Sequence, residues 1–359
     1  MILNGLLLVT VKALNSNKIF KKEVHMNIYD IAKLSGVSIA TVSRVVNNSP
    51  KVSDKTRAKV HKIMEEVGYT PNIFARGLGL NSMQTIGILC PDVADLYMAS
   101  AVSYLERKLN QYGYDCILGC TGDEQKNREN YVKLFLSKKI DALVMIGSTY
   151  AGKSGSEDEI QYIVEASKEV PIFTINSFIP GDHIFCLYSD DDQAAYDITT
   201  SFINQGKQNI LFLYNSQSFS GTQKRLGYEK AHREAGLPIR GDMIFFTSHG
   251  MNETKDLLLL NQSLVFDAVL ASEDFLAVSV LKYAKTKGLR IPEDIAVVGY
   301  NNSNYAICSE PELTSIDNKN ATLCSLTVDH LIGLLEDGII PKKSVKVPYH
   351  IIKRNTTTF

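Results

Sequence analysis

Residues 27–48 read Asn-Ile-Tyr-Asp-Ile-Ala-Lys-Leu-Ser-Gly-Val-Ser-Ile-Ala-Thr-Val-Ser-Arg-Val-Val-Asn-Asn. The pattern predicts two short helices joined by a tight turn. Asn27 can cap the first helix, and Asp30 places a carboxylate near its free backbone N–H groups. Gly36 supplies the left-handed residue that ends it. Ser38 caps the second helix, with Thr41 in its first turn. Ile31, Val42, Val45 and Val46 form apolar faces at helical spacing. Ala32, Gly36 and Val42 are small or compact where the helices cross. Thr41, Ser43, Arg44 and Asn47 are left facing outward. Such a unit can lay its second helix in the major groove of DNA. An ordinary helical hairpin fits equally well up to this point.

The next residues separate the two. Ser53-Asp54-Lys55-Thr56 opens a third helix with Val60, Ile63, Met64 and Val67 on one face, and Gly68 ends it. Three such helices make a minimal globular headpiece. Tyr69 to Leu78 follows, with Pro71 suited to start a short helix and Gly77 and Gly79 weakening it. That helix is marginal alone and needs a partner.

The run from Ile28 to Leu78 resembles the headpiece and hinge of the lac-repressor/galactose-repressor family of bacterial transcription regulators. The matching stretches are YDIAKLSGVSIATVSRVVNNSPKVSDKTRAKV and GYTPNIFARGL. The headpiece is most similar to the catabolite-control branch, which shares the SIATVSRVVN-like helix and the PNxxARGL hinge. The resemblance implies a regulator that binds a palindromic operator as a homodimer. Tyr29, Ser38, Thr41, Ser43, Asn47 and Thr56 then grip the DNA from the headpiece. Arg44, Ile39 and Ala40 face base edges, and arginine suits bidentate contact with guanine. Asn72, Ala75 and Leu78 belong to the hinge, and Leu78 matches the family leucine that wedges into the central minor-groove step.

Charge agrees. Residues 26–83 carry +4 (eight Lys and Arg against four Asp and Glu), and residues 1–25 carry +3. The net charge of −1 leaves −8 for residues 84–359, so a basic head sits on an acidic body. The six cysteines are scattered, and Cys116 and Cys120 form the only close pair. All six are expected as reduced thiols of a cytoplasmic protein, mostly buried in strands, with no metal site and no cofactor. Leu6–Val11 is too short an apolar run for a membrane span or a signal sequence. Residues 1–25 are expected to be an upstream start or a disordered basic tail. A DNA-contacting arm is the other reading. The expected segments are therefore this extension, a headpiece at 26–70, a hinge at 71–83 and an effector and dimerisation domain at 84–359.

From Thr85 onward short apolar runs alternate with amphipathic stretches. Strands are expected at 85–89, 115–118, 142–146, 172–175, 209–213, 243–246, 268–271 and 295–298. Another is expected around 186–188. Helices are expected at 98–112, 124–137, 191–205, 221–236, 252–261 and 274–288. The alternation implies parallel sheets covered by helices, and the count favours two doubly wound lobes. The fold class is thus α/β, an all-α helix-turn-helix headpiece followed by a two-lobed effector domain. Stretches such as IGILCPDVADLYMASAVSYLE, LGYEKAHREAGLP and DAVLASEDFLAVSVLKYAKTKGLRIPEDIAVVGYNN are similar to the family's effector domain. That domain has the periplasmic sugar-binding-protein architecture.

The resemblance implies effector contacts at Tyr97, Met98, Ser148, Asn176, Asp190, Lys224, Arg225, Glu273 and Asn301, all near strand ends. Two departures bear on the ligand. Lys224 stands where sugar-binding members usually place arginine, with Arg225 displaced by one. Gly299-Tyr300-Asn301-Asn302 replaces the usual Gly-Phe/Tyr-Asp-Asp. With a carboxylate lost and two cations nearby, a sugar phosphate is favoured over a neutral sugar. Three readings remain open for the chain. One is a repressor gated by a small molecule, and another is a catabolite-type regulator governed by a phosphoprotein. The third is a solute-binding protein or sugar-modifying enzyme, which would need a signal peptide or a catalytic set. The chain contains no HExxH or GxSxG motif.

Leu78→Ala should remove the minor-groove wedge while sparing the headpiece. Operator affinity and DNA bending should both fall in a circular-permutation gel shift. Parental bending and affinity would rule out the wedge.

Overall fold

The computed structural model describes residues 26–46, 49, 51–69, 82–152 and 157–359. The chain divides between Asn81 and Ser82 into two compact units.

In the first unit, helices α1 (Ile28–Ser35), α2 (Ile39–Val46) and α3 (Asp54–Glu66) enclose one small core. Asn27 and Asp30 form a reciprocal capping box: the Asn27 side chain accepts from Asp30 N at 3.2 Å, and Asp30 accepts from Asn27 N at 3.0 Å. Gly36 closes α1 at φ 64°, a left-handed backbone that glycine adopts without strain. Ser38 Oγ accepts from Thr41 N at 3.1 Å and Ser53 Oγ from Thr56 N at 3.4 Å. Ile31, Val42, Val45 and Val60 are fully buried, with Ala32 and Met64 beside them. A core of six residues is small, so each cap carries a large share of this unit's stability.

The second unit begins with β1 (Thr85–Cys90), α4 (Leu96–Gln111), β2 (Asp115–Cys120), α5 (Gln125–Ser137), β3 (Ala142–Ile146), α6 (Glu157–Ala166), β4 (Ile172–Ile175) and β5 (Ile184–Ser189). It continues with α7 (Asp191–Asn204), β6 (Ile210–Tyr214), α8 (Phe219–Glu234), β7 (Ile244–Phe246), α9 (Met251–Leu260), β8 (Ala268–Ala271), α10 (Asp274–Lys287) and β9 (Ala296–Tyr300). The final elements are α11 (Asn304–Cys308), β10 (Thr314–Asp317), α12 (Asn320–Asp337), β11 (Ser344–Val347) and β12 (His350–Ile352).

The strands form two six-stranded sheets, ordered β11-β5-β4-β3-β1-β2 and β12-β10-β9-β8-β6-β7. All pairs are parallel except β10 with β12. Central strands such as β1, β3, β6 and β9 are buried throughout, which is why they read as continuous apolar runs. In the first sheet α4 and α12 pack one face through Leu105, Leu109, Leu323 and Leu331, and α5 and α6 the other through Val132, Phe135 and Ile163. In the second, α9, α10 and α11 cover one face and α7 and α8 the other. The chain crosses between sheets three times, at β5 to α7, β10 to α12 and β11 to β12.

The strands and helices expected from Thr85 onward all appear, with ends displaced by a residue or two, and the expected hinge helix lies outside the described residues. The sequence reading did not anticipate α6, α11, α12, β10, β11 and β12. Four of the six free cysteines lie in strands, whereas Cys308 and Cys324 lie on helices; Cys120 and Cys308 are exposed. Cys116 and Cys120 are not register partners: Cys120 pairs across the ladder with Cys90. No helix among the described residues is long and apolar enough to cross a membrane.

Helices α7 and α8 touch backbone to backbone at Gly227, where an added Cβ would collide with the Asp192 carbonyl and crowd Tyr196 N. Gly227→Ala should therefore cost about 3 kcal/mol or more, because neither helix backbone can move aside cheaply. Gly241→Ala meets open space and should be near neutral. Urea denaturation of the two variants checks the difference, and equal midpoints would show that α8 can shift.

Candidate functional site

The first candidate surface belongs to α2. Ser38, Ile39, Ala40 and Arg44 are exposed, and Thr41 and Ser43 are half-buried. Ile39 is 42% exposed in an element whose Val42 and Val45 face the core, and Tyr29 on α1 is 66% exposed. Ser38 Oγ and Thr41 Oγ1 lie 2.9 Å apart, as Ser53 and Thr56 do at 3.0 Å, so the capping hydroxyls are held in place. Asn47, Asn72, Ala75 and Leu78 lie outside the described residues, as do residues 1–25 and most of the expected hinge.

The second candidate is a cavity of about 420 Å³ between the sheets. Its walls are the loops that follow the carboxyl ends of strands: Asp92, Asp95, Tyr97 and Met98 after β1, Ser148 after β3, Asn176 after β4, Asn215 to Lys224 after β6, Glu273 after β8 and Asn301 after β9. Two asparagines turn the chain there with positive φ, 64° at Asn176 and 87° at Asn301. Asparagine tolerates that backbone better than most side chains. Ser148 Oγ donates to Ser218 Oγ at 2.8 Å, a direct bond between the lobes.

Beneath the cavity lies a buried polar network. Lys224 is 4% exposed. Its Nζ donates to the Ser272 carbonyl at 3.0 Å and stands 3.6 Å from the centre of the Tyr300 ring. Tyr300 donates to Asp191 Oδ1 at 2.6 Å, and Ser220 donates to the other oxygen. Asn301 Nδ2 donates to Glu273, while Asn301 Oδ1 accepts from Asn318 at 2.9 Å. Withdrawal from water pushes the Glu273 carboxyl up to about 8, against the pull of Lys224 and helped by Asp95, Asp274 and Asp191. The buried oxygens Tyr97 Oη and Asn176 Oδ1 have no protein partner.

Two comparisons with known families cover both units. Residues 27–72 match the family described as bacterial regulatory proteins, lacI family. Residues 83–354 match periplasmic binding proteins and sugar binding domain of LacI family. The chain belongs to the lacI family of transcription regulators. It is therefore a DNA-binding regulator with a sugar-binding-type effector domain, in a family that is not enzymatic. A Lachnoclostridium phytofermentans HTH-type transcriptional regulator is 46% identical over 336 residues, 93% of this chain and 100% of that protein. Catabolite control protein A of Priestia megaterium is 28% identical over 341 residues, again 93% and 100%. The fold superimposes on the Lac repressor dimer bound to operator and the anti-inducer ONPF, with TM-score 0.80, 24% identity, 92% of this chain and 98% of that one. A regulator CelR–cellobiose complex gives TM-score 0.66 at 22% identity, covering 92% and 100%.

Within this lacI-family effector domain, Tyr97, Met98, Ser148, Asn176, Lys224, Glu273 and Asn301 come together in the cavity wall. Asp190 and Arg225 do not. Asp190 caps the crossover into α7, where Lys346 Nζ bonds it at 2.9 Å and Asp192 at 3.0 Å. Arg225 points out of α8 and pairs with Glu229 at 2.7 Å. Adjacent residues on a helix lie on different faces, so Lys224 and Arg225 cannot both enter the cleft. The expectation of a positively charged pocket is thereby overturned. The wall carries Asp92 and Asp95, Asp123 facing Arg128 at 3.8 Å, and a Glu273 carboxyl pushed toward its neutral form, while Lys224 is already engaged. The sequence reading missed these aspartates and the Asn215–Ser218 loop, although all follow strand ends.

Lys224→Ala should cost about 2 kcal/mol of stability, since it removes a buried charged hydrogen bond. Arg225→Ala should cost below about 0.5 kcal/mol, the worth of an exposed helical ion pair. Thermal unfolding compares them, and a neutral Lys224→Ala would mean that its ammonium is free in the cleft.

Proposed function

We propose that this protein is a repressor that binds a palindromic operator as a homodimer and responds to a small molecule held in the interlobe cleft. The observation that carries the DNA reading is Arg44, exposed on α2 next to Ile39 and Ala40, on the outer face of a capped second helix. Arginine in that position offers two parallel donors to guanine O6 and N7, and the exposed aliphatics suit a thymine methyl. The lysines of the headpiece supply phosphate contacts that fix register without reading bases. The solved relatives include a dimer bound to operator and a complex with cellobiose, which supports the dimer and the cleft ligand by analogy. The cleft supports a small-molecule effector on its own terms: its volume lies in the roughly 300–1,000 Å³ range of ligand pockets, and polar groups converge on it. Effector binding shifts the population of a DNA-competent state by its differential affinity for the two lobe arrangements.

A phosphoprotein-governed catabolite regulator is the second reading, favoured by the similarity to catabolite control protein A. The experiment is selection of binding sites from random duplex DNA with the full chain. An enriched palindrome, bound at one dimer per site, supports the proposal. Failure to enrich, or an asymmetric site bound by one chain, would overturn it. On the selected operator, Arg44→Ala should weaken binding by about 1–3 kcal/mol while leaving nonspecific DNA nearly unchanged. Equal weakening on both DNAs would reduce Arg44 to a phosphate contact.

A further inference from the structure

The cleft opens past Tyr97 into a side chamber of about 300 Å³. Its walls carry the carboxylates of Asp92, Asp95 and Glu273 and the rings of Tyr97, Phe275 and Tyr305, and no Lys, Arg or His. A fourth carboxylate, Asp274, is spent: it accepts from Ser303 N at 2.6 Å, Ser303 Oγ at 2.8 Å and Ser315 Oγ at 2.6 Å. Asp92 and Asp95 each accept one local backbone N–H, from Ala94 at 2.9 Å and Met98 at 3.0 Å. A second oxygen of each remains over. Asn176, 8% exposed in the wall of the main cavity, holds an Oδ1 without a partner. These three acceptors stand beside the unpartnered Tyr97 hydroxyl, and Lys224, the cation of the main cavity wall, is committed to Ser272 and Tyr300.

Each alternative ligand meets a physical objection. A phosphate would face the Asp92 and Asp95 carboxylates with no free cation in the chamber wall to receive it. A neutral polyol can donate hydroxyl hydrogen bonds to both carboxylates but leaves their charge unmatched. A metal ion needs converging ligands, and among the described residues no three His, Cys, Asp or Glu side chains converge in that way. An organic ammonium group meets both features of the chamber, since carboxylates pair with it and aromatic faces attract it.

We propose that the effector is an amine-bearing polyol, an amino sugar in chemical class, whose ammonium group sits in this chamber and whose hydroxyls face Ser148, Asn176 and Asn215. The assignment rests on the cleft being the effector site. It carries a signature of its own. With its carboxyl held near 8, Glu273 is largely protonated at neutral pH. Lys224 faces it as a cation, Asp95, Asp274 and Asp191 as anions, and Asn301 as a hydrogen-bond donor. An arriving ammonium stabilises the carboxylate and expels the proton, so amine affinity should rise as pH increases to about 7, below the range of roughly 7.7–8 in which an amine beside electron-withdrawing groups sheds its own proton. A neutral sugar makes no such demand.

The test uses the full chain and two matched trios: glucosamine, glucose and glucose 6-phosphate, and the corresponding galactose set. Thermal shift ranks them. Calorimetry at about pH 6.5, where the amine is still an ammonium, in two buffers of different ionisation heat counts protons. The amine should bind tightest in a trio and release a proton. Glu273→Gln should weaken it roughly tenfold or more and abolish proton release. Asp92→Asn, on an exposed loop, should weaken the amine in the same sense and covers the case in which Glu273→Gln does not fold. Tighter binding of the neutral or phosphorylated member, amine binding without proton release, or silence from both trios overturns the assignment. If a broad metabolite set also leaves melting temperature and operator affinity unmoved, the cleft-ligand reading falls with it. If other ligands bind, only the amine assignment falls.

Discussion

The effector unit is organised by one topological constraint: its chain passes between two parallel sheets three times, at Ser189–Asp191, Asp317–Asn320 and Val347–His350. A parallel sheet delivers every strand's carboxyl end to the same edge. Three crossings hold two such edges facing one another, and the space between them is the cavity. Its residues come from loops after β1, β3, β4, β6, β8 and β9 because those are the strands whose ends face inward. The crossings are also chemically tied. Lys346, on the strand entering the third crossing, bonds Asp190 and Asp192 at the first. Asn318, in the second, bonds Asn301 in the cavity wall at 2.9 Å.

Those ties decide which charges are available to a ligand. A buried ammonium is costly unless paired or hydrogen-bonded, and Lys224 meets that cost through the Ser272 carbonyl and the Tyr300 ring. Tyr300 in turn leans on Asp191, the first residue after the first crossing. Lys224 is thus a strut in the floor rather than an open hand. The carboxylates of Asp92 and Asp95 stand on the exposed rim, where their charge remains expressed.

Much of this was legible in the residues. The headpiece announces itself because each helix carries its own stop and start: Asn27 with Asp30, Gly36, Ser38 and Ser53 are local signals that act within a turn. Central strands are equally plain as apolar runs. The elements that escaped lack such signals. Helix α12 begins after Lys319, which has left-handed backbone and makes no capping bond, and its apolar residues pack against the sheet on more than one side. The strands β10, β11 and β12 are only three or four residues long. Within the site, sequence order identifies the strand-end loops but not the rotation of a helix about its axis. That rotation sends Lys224 inward and Arg225 out to Glu229. Distance along the chain also conceals that Asp190 meets Lys346.

The same geometry ties the cavity wall to the crossings. Glu273 precedes α10 and receives Asn301 Nδ2, Asn301 is held by Asn318, and Asn318 lies in the second crossing. On the other side Asp191, at the first crossing, holds Tyr300 beneath Lys224. A change in the protonation of Glu273 alters what Asn301 can donate to, since a carboxylate accepts more strongly than a neutral acid. That change is felt at Asn318 without any contact between ligand and crossing. Under the proposed function, a ligand that fixes the charge of Glu273 would bias the second crossing, a lever that a ligand which only filled space would lack. The wall and that crossing are joined through two side-chain hydrogen bonds, from Asn301 to Glu273 and from Asn318 to Asn301.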